Sequence, residues 1–438
     1  MMKTKKPKRK SKYAMETQLI YGKSISKKWD YNHHVIPPIS SSATFRLDTT
    51  KRGAQGFMEF AHHSGDQKIE SCAPIYIYDR LGEPNKELLE ENLAAAEKGE
   101  SAVTFSTGMA AISAILGCLT GVGDNIIAHN ILYGCTYSLL TNWYPRYNIN
   151  TKFVDLMNTG NLKKEIDSDT RVIYFETPVN PTLDIIDIPA IAKIVTEANK
   201  KRPKSRKIFV VIDNTFATPY CQRPLELGAD FVVESLTKGI TGFGTDMGGV
   251  VVGPRWSYDL LLMYRKDFGG SLAAKSAWPI MVYGLPSLPI RFKQAMGTAL
   301  EVAKFLESDP RIDYVRYPGL DSFPQSALAR RQMYDYDGNF APGVLLFFAF
   351  KGKTPKQRRD RGEKFINILA KKAYSITLAV SLGMIRTLVE HPSSMTHAAI
   401  PPEEQVKKGI DPGGIRLSVG IEKLEDIIND LKTALKSL

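Results

Sequence analysis

A chain of 438 residues, 43% hydrophobic and 24% charged with a net charge of +12, is long enough for a large core, two domains and an arm. Its apolar runs are too short to cross a membrane, and a charged N-terminus with no apolar stretch behind it argues against a signal peptide. Four scattered cysteines (Cys72, Cys118, Cys135, Cys221), none in CxxC spacing, argue against structural zinc and for a reduced, cytoplasmic setting. The basicity is concentrated at one end. Residues 1–12 hold seven Lys/Arg and no acid, which leaves +5 for the other 426 residues. Such a tail reads as disordered, and no recognition module accompanies it, so nucleic acid is not an expected partner.

In chain order, residues 13–50 mix aromatic and polar residues around Pro37 and Pro38 and read as an extended arm. Residues 51–75, rich in Gly, His and Ser, read as a loop. Asn85 to Lys98 is strongly helical, with Leu88, Leu89, Leu93 and Ala96 at three-and-four spacing and Gly99 as the stop. Ser101 to Phe105 reads as strand, Ser106 to Met109 as turn, and Ala110 to Leu119 as apolar helix. In that arrangement the helix N-terminus offers backbone N–H groups to a phosphate. Further strands are expected at Asn125–His129, Lys152–Val154, Arg171–Glu176, Ile208–Ile212 and Phe231–Val233, with a helix from Pro189 to Asn199. This alternation specifies an α/β fold whose mostly parallel sheet is covered on both faces. From about residue 296 the pattern becomes a smaller α+β layer. It has helices at Ala299–Leu306, Gly362–Lys372 and Glu422–Leu438, and strands at Gly343–Phe350 and Ile415–Val419. The expected organisation is a basic tail, arm and loop over 1–75, a large domain over 76–295 and a small domain over 296–438.

Asn180, Asp213 and Lys238 each lie just past an expected strand, on the edge of a parallel sheet where ligands bind. Alone, Lys238 reads as a surface lysine, Arg80 as an ion-pair residue and Tyr133 as a packed aromatic. An aspartate leaving an apolar strand is costly when unpaired, and a protonated pyridine nitrogen would remove that cost. A lysine amine forms an imine once desolvation favours its neutral form. An arginine suits a substrate carboxylate because its planar fork bonds both oxygens.

Eight motifs occur together in order. They are Tyr78-Asp79-Arg80 with Asn85, Ser106-Thr107-Gly108-Met109, Tyr133-Gly134, Glu176-Thr177-Pro178-Val179-Asn180-Pro181, Asp213-Asn214-Thr215, Ser235-Leu236-Thr237-Lys238, Ser381-Leu382-Gly383 and Arg416-Leu417-Ser418-Val419-Gly420. From about Tyr76 to the C-terminus the chain resembles the Cys/Met-metabolism enzymes that depend on pyridoxal 5'-phosphate (PLP). The resemblance implies a large domain of the aspartate-aminotransferase type (fold type I), with PLP held as a Schiff base by Lys238. It implies Asp213 at the pyridine nitrogen, and Gly108, Met109, Ser235 and Thr237 around the phosphate. Tyr78 and Arg80 would reach that phosphate from a neighbouring subunit, which makes a dimer obligatory; the family commonly pairs dimers into tetramers. Tyr133 matches the tyrosine that stacks on the cofactor and assists the leaving group. Arg416, Asn180 and Ser381 match the site of the amino-acid substrate's carboxylate.

Within that family, Cys135 and Lys266-Asp267 resemble the methionine γ-lyase branch, where they form a polar network with the tyrosine and the phosphate-side arginine. This implies γ-elimination of methionine to methanethiol, 2-oxobutanoate and ammonia. Cystathionine γ-lyase and the γ-replacement enzymes, cystathionine γ-synthase and O-acetylhomoserine sulfhydrylase, share the same motifs and stay open. Glu234, Leu236, Gly239-Ile240 and Met384-Ile385-Arg386 depart from the residues usual in the family. A basic-tailed nucleic-acid protein on an inactive scaffold is disfavoured because Lys238, Asp213 and Arg416 are intact.

Overall fold

The computed structural model describes residues 13–22, 34–61, 75–395, 405–406 and 409–438. The basic tail and Cys72 lie outside the described residues. The β-branched and aromatic runs of the first half form one seven-stranded sheet. Its strands are β1 (Ser101–Phe105), β2 (Asn125–His129), β3 (Asn150–Val154), β4 (Thr170–Glu176), β5 (Phe209–Asp213), β6 (Phe231–Ser235) and β7 (Gly249–Gly253). They lie in the order β1-β7-β6-β5-β4-β2-β3. Neighbours are parallel except β7, which runs antiparallel to both β1 and β6. Every residue of β1, β2 and β7 is buried, with no alternation between a covered and an open face, as expected for strands covered on both sides.

The second sheet has five strands, β8 (Ile312–Arg316), β9 (Leu345–Phe350), β10 (Ile376–Leu378), β11 (Thr387–Glu390) and β12 (Gly414–Ser418), in the order β10-β11-β12-β9-β8. Helices Pro355–Lys372 and Leu424–Lys436 cover it through Phe365, Ile366, Leu369, Ile427 and Leu431. Helix Leu285–Glu307 joins the two layers. Leu285, Leu288, Phe292 and Ala295 pack in the core that includes β6 and β7 residues, whereas Ala299, Val302 and Leu306 pack in the core of the second sheet. The domain boundary that we propose at residue 296 falls at that change.

Three expectations are corrected. The arm is not wholly extended: Met15–Tyr21 is a helix, and it buries Met15 and Leu19 in the same core as Leu88, Leu93 and Phe292. The stretch read as a loop begins with a helix, Thr50–Ala61, where the Thr49 hydroxyl accepts from Arg52 N at 3.1 Å and Gly56 lies against Ile75 and Ile77. The segment 62–74 lies outside the described residues. The long helix begins at Leu285 and not at Ala299, because Pro286 falls in its first turn, where the backbone N–H has no intrahelical partner. No described helix is long and apolar enough to cross a membrane.

Candidate active site

The parallel register places Glu176 beside Asp213 and Asp213 beside Val233, so β4, β5 and β6 end along one edge. There burial alternates in a telling way. Asp213, Ser235, Thr237 and Lys238 are partly accessible, while Asn214, Glu234, Leu236 and Gly239 among them are buried. Gly108, at the start of helix Gly108–Leu119, meets the end of β6 so closely that a Cβ there would lie 2.9 Å from Ser235 Cβ. Thr107 caps that helix, its hydroxyl accepting from Ala110 N at 3.0 Å. The other N–H groups of the first turn are left for an anion. Thr237 Oγ1 accepts from Gly248 N at 3.1 Å, and Thr215 Oγ1 accepts from Ser235 N at 2.9 Å; these bonds fix the loops that leave β5 and β6.

Asp213 accepts from Thr215 N at 3.0 Å and from the Tyr174 hydroxyl at 3.4 Å. Among the described residues no cation pairs with it. Burial raises its pKa, and the bonds from Thr215 and Tyr174 pull it partly back. Lys238 Nζ donates to Ser381 Oγ at 2.9 Å. Burial lowers the lysine pKa, Arg416 lowers it further, and Glu390 acts in the opposite sense. The neutral amine, the nucleophilic form, is therefore favoured.

Ser381 adopts φ of +116°, a region that L-residues rarely enter, and Arg416 Nη2 donates to its carbonyl at 3.1 Å. Arg416 Nη1 donates to Asn180 Oδ1 at 2.9 Å, and its guanidinium centre lies 5.6 Å from the Phe216 ring centroid. The same guanidinium forms an ion pair with Glu390 at 3.1 Å, with both side chains at most 3% exposed. Glu390 and Arg416 face each other across β11 and β12. Lys238, Ser381, Arg416 and Asn180, drawn from four separate stretches of the sequence, thus form one bonded chain. The sequence reading missed Glu390 and Phe216. The sole signal for Glu390 was a carboxylate closing the apolar run Leu388-Val389.

Tyr133 N donates to Glu176 Oε1 at 2.7 Å, which ties the tyrosine to the end of β4. Glu176 is pushed up to about 8 by burial and by the nearby Asp213. The Cys135 thiol donates to the Tyr133 hydroxyl at 3.4 Å. Burial first and Cys135 second push the Tyr133 phenol up to about 12, so it keeps its proton at neutral pH. Tyr78 and Arg80 are not joined to this group. Arg80 stacks at 5.5 Å from the centroid of the Tyr78 ring and donates to the carbonyl of Lys266. Lys266 and Asp267 pair with each other at 3.3 Å. The expected polar network therefore reaches Arg80 within this chain, whereas Tyr133 and Cys135 form a separate pair.

These features fit PLP. Asp213 is a largely desolvated carboxylate, and among the described residues no cation pairs with it, which leaves it available to a ring nitrogen. The space between Gly108 and Ser235 is a cradle that a single Cβ would invade. Lys238 presents a desolvated amine on the same edge. Fold and site together have the features of a PLP-dependent enzyme of the α/β class. Residues 16–436 match the Cys/Met metabolism PLP-dependent enzyme family, and the chain belongs to that family. It is 38% identical to an L-methionine gamma-lyase of Pseudomonas deceptionensis over 93% of this chain and 94% of that protein. It is 36% identical to a putative cystathionine gamma-lyase 2 of Caenorhabditis elegans over 93% of each chain. The crystal structure of cystathionine gamma-lyase from Lactobacillus plantarum complexed with L-serine superposes with a TM-score of 0.81 at 30% identity, over 97% of this chain and 99% of that one.

Proposed function

We propose that this PLP-dependent enzyme carries out γ-elimination on methionine, releasing methanethiol, 2-oxobutanoate and ammonia with uptake of one water. The observation that carries the reading is the Cys135–Tyr133 pair, a protonated phenol with a thiol 3.4 Å from its oxygen. It is supported by the likeness to the protein named L-methionine gamma-lyase.

PLP, when bound, supplies the electron sink that stabilises a carbanion at the substrate's α-carbon. The remaining work falls to side chains. Gly108, Met109, Ser235 and Thr237 hold the phosphate end, and Asp213 keeps the ring nitrogen protonated. Lys238 Nζ anchors the group and, once free, takes the α-proton, for which a lowered amine pKa suits it. Arg416 binds the substrate carboxylate, with Asn180 and Ser381 holding the guanidinium in plane. Tyr133 gives its proton to the departing sulfur, oriented by the Cys135 thiol. Tyr78 and Arg80 lie apart from this group and serve the phosphate of a second copy. The working unit is therefore a homodimer, and a pair of dimers is the expected assembly.

The likeness to the protein named putative cystathionine gamma-lyase 2 favours a second reading. In it the same site takes cystathionine in place of methionine. A panel of methionine, cystathionine and O-acetylhomoserine, scored for keto acid, thiol and new thioether, separates the two. Methanethiol and 2-oxobutanoate in equal amounts from methionine are expected. Turnover of cystathionine or O-acetylhomoserine alone would overturn the methionine assignment.

A further inference from the structure

Behind the edge that carries Asp213 and Ser235 lies a polar cluster that the reaction does not use. Glu97 ends the helix Pro84–Ala96, and Glu234, one of the residues that departs from the family pattern, lies on β6. Each is 1% exposed, and Asn214 between them is fully buried. Asn214 Nδ2 donates to Glu97 Oε1 at 2.8 Å, to Gln222 O at 2.9 Å and to Glu234 Oε1 at 3.1 Å. Gln222 Nε2 donates to Asn214 Oδ1 at 2.9 Å. One amide nitrogen thus holds both carboxyl groups, each with an oxygen within 3.1 Å of Asn214 Nδ2. The second oxygen of each, Glu97 Oε2 and Glu234 Oε2, is buried and has no hydrogen-bond partner among the described residues.

Among the described residues no ion pair reaches either glutamate. Arg223 acts on Glu97 through space, but its guanidinium is committed to Glu226 at 2.9 Å, Pro219 O at 2.9 Å and Asp335 O at 3.1 Å. Two carboxylates have acceptors only, so they bond each other when one of them carries a proton.

We propose that Glu97 and Glu234 share one proton and, by gripping the Asn214 amide together, act as positioning residues for Asp213 and Ser235. Asn214 follows Asp213 in the chain, and Glu234 precedes Ser235, so the pair sets the exits of β5 and β6. One proton holds the pair at a single negative charge. A second charge would bear on Asp213, which already acts electrostatically on Glu234. That would shift Asp213 toward its neutral form and weaken its hold on a protonated ring nitrogen. This last consequence rests on the reading of Asp213 given above. The charged and titratable groups that face the pair are Asp213 from β5, Arg223 and Glu226 from the segment after it, and Tyr336. Burial pushes Glu97 up to about 7 and Glu234 well above the usual carboxyl range, in keeping with a retained proton.

The test is the unfolding midpoint of the purified full-chain holoenzyme between about pH 6 and 9, for the natural protein, Glu234→Gln and Glu97→Gln. A carboxyl that stays protonated in the fold but ionises in the unfolded chain takes stability away as pH rises above its unfolded pKa. Glutamine supplies an N–H in place of the shared proton and does not titrate. Each variant should therefore gain on the natural protein as pH rises, and should keep its bound-cofactor absorbance to higher pH. A loss of stability that is the same at every pH, or failure of either variant to fold, would overturn the shared proton. If cofactor absorbance is missing from all three proteins, the Asp213 reading fails, while the pH dependence still decides the pair.

Discussion

Replacing Arg416 with methionine strips Glu390 of a guanidinium 3.1 Å away in a site where both side chains are at most 3% exposed. Removing one partner of a buried ion pair costs about 3–5 kcal/mol. A loss of that size is expected in the unfolding free energy from urea titration, followed by circular dichroism and by cofactor absorbance. The double variant Arg416→Met, Glu390→Leu removes both charges and should return to within about 1 kcal/mol of the natural protein, since buried pairs replaced by apolar residues are often neutral in stability. Its activity should not return. The substrate carboxylate loses two charge-assisted hydrogen bonds at about 1.5–3 kcal/mol each, or roughly 10²–10⁴ in kcat/KM. The pair's structural role and the carboxylate-binding role of Arg416 are thereby separated. An Arg416→Met protein as stable as the natural one, or a double variant that regains activity along with stability, would refute the reasoning.

Other outcomes follow from the same geometry. Asp213→Asn should fold and bind PLP but lose about 10²–10³ in kcat, because an amide cannot stabilise a protonated ring nitrogen; an unchanged kcat would count against its role. Gly108→Ala places a methyl 2.9 Å from Ser235 Cβ and should raise the Kd for PLP at least about tenfold, measured by absorbance titration. Cys135→Gly removes one of the groups that raise the Tyr133 pKa, so the alkaline limb of kcat should move to lower pH while PLP affinity holds. Equal loss of both would make Cys135 structural.

The large sheet was readable because fully buried parallel strands appear as β-branched runs, and Phe209 to Ile212 is the clearest of them. β7 escaped because it follows a Gly-rich segment, and the antiparallel return it makes between β1 and β6 has no local signature. Gly242 in that segment has φ of +74°, and a Cβ on it would lie 2.0 Å from Arg291 Nη1; this guanidinium bonds the carbonyls of Gly239 and Ile240. This Gly-rich tract is thus packed against a buried arginine. Asn180, Asp213 and Lys238 were legible because strand ends carry them. The bonds that link Asn180 and Lys238 through Ser381 and Arg416 were not legible in residue spacing, since they join β-strand ends of the first sheet to β12 of the second. Glu390 owes its position to cross-strand register, which sequence spacing does not encode. The Thr50–Ala61 helix was hidden by its glycines, which weaken helix propensity but let Gly56 lie close to Ile75 and Ile77.

The central claim is that Lys238, at the end of β6, holds the cofactor. Borohydride reduction of the purified holoenzyme followed by peptide mass mapping tests it directly. The account predicts a single pyridoxyl-modified peptide with the added mass on Lys238, absent from Lys238→Ala. A modification on another lysine, or a reduced protein that carries none, would contradict it.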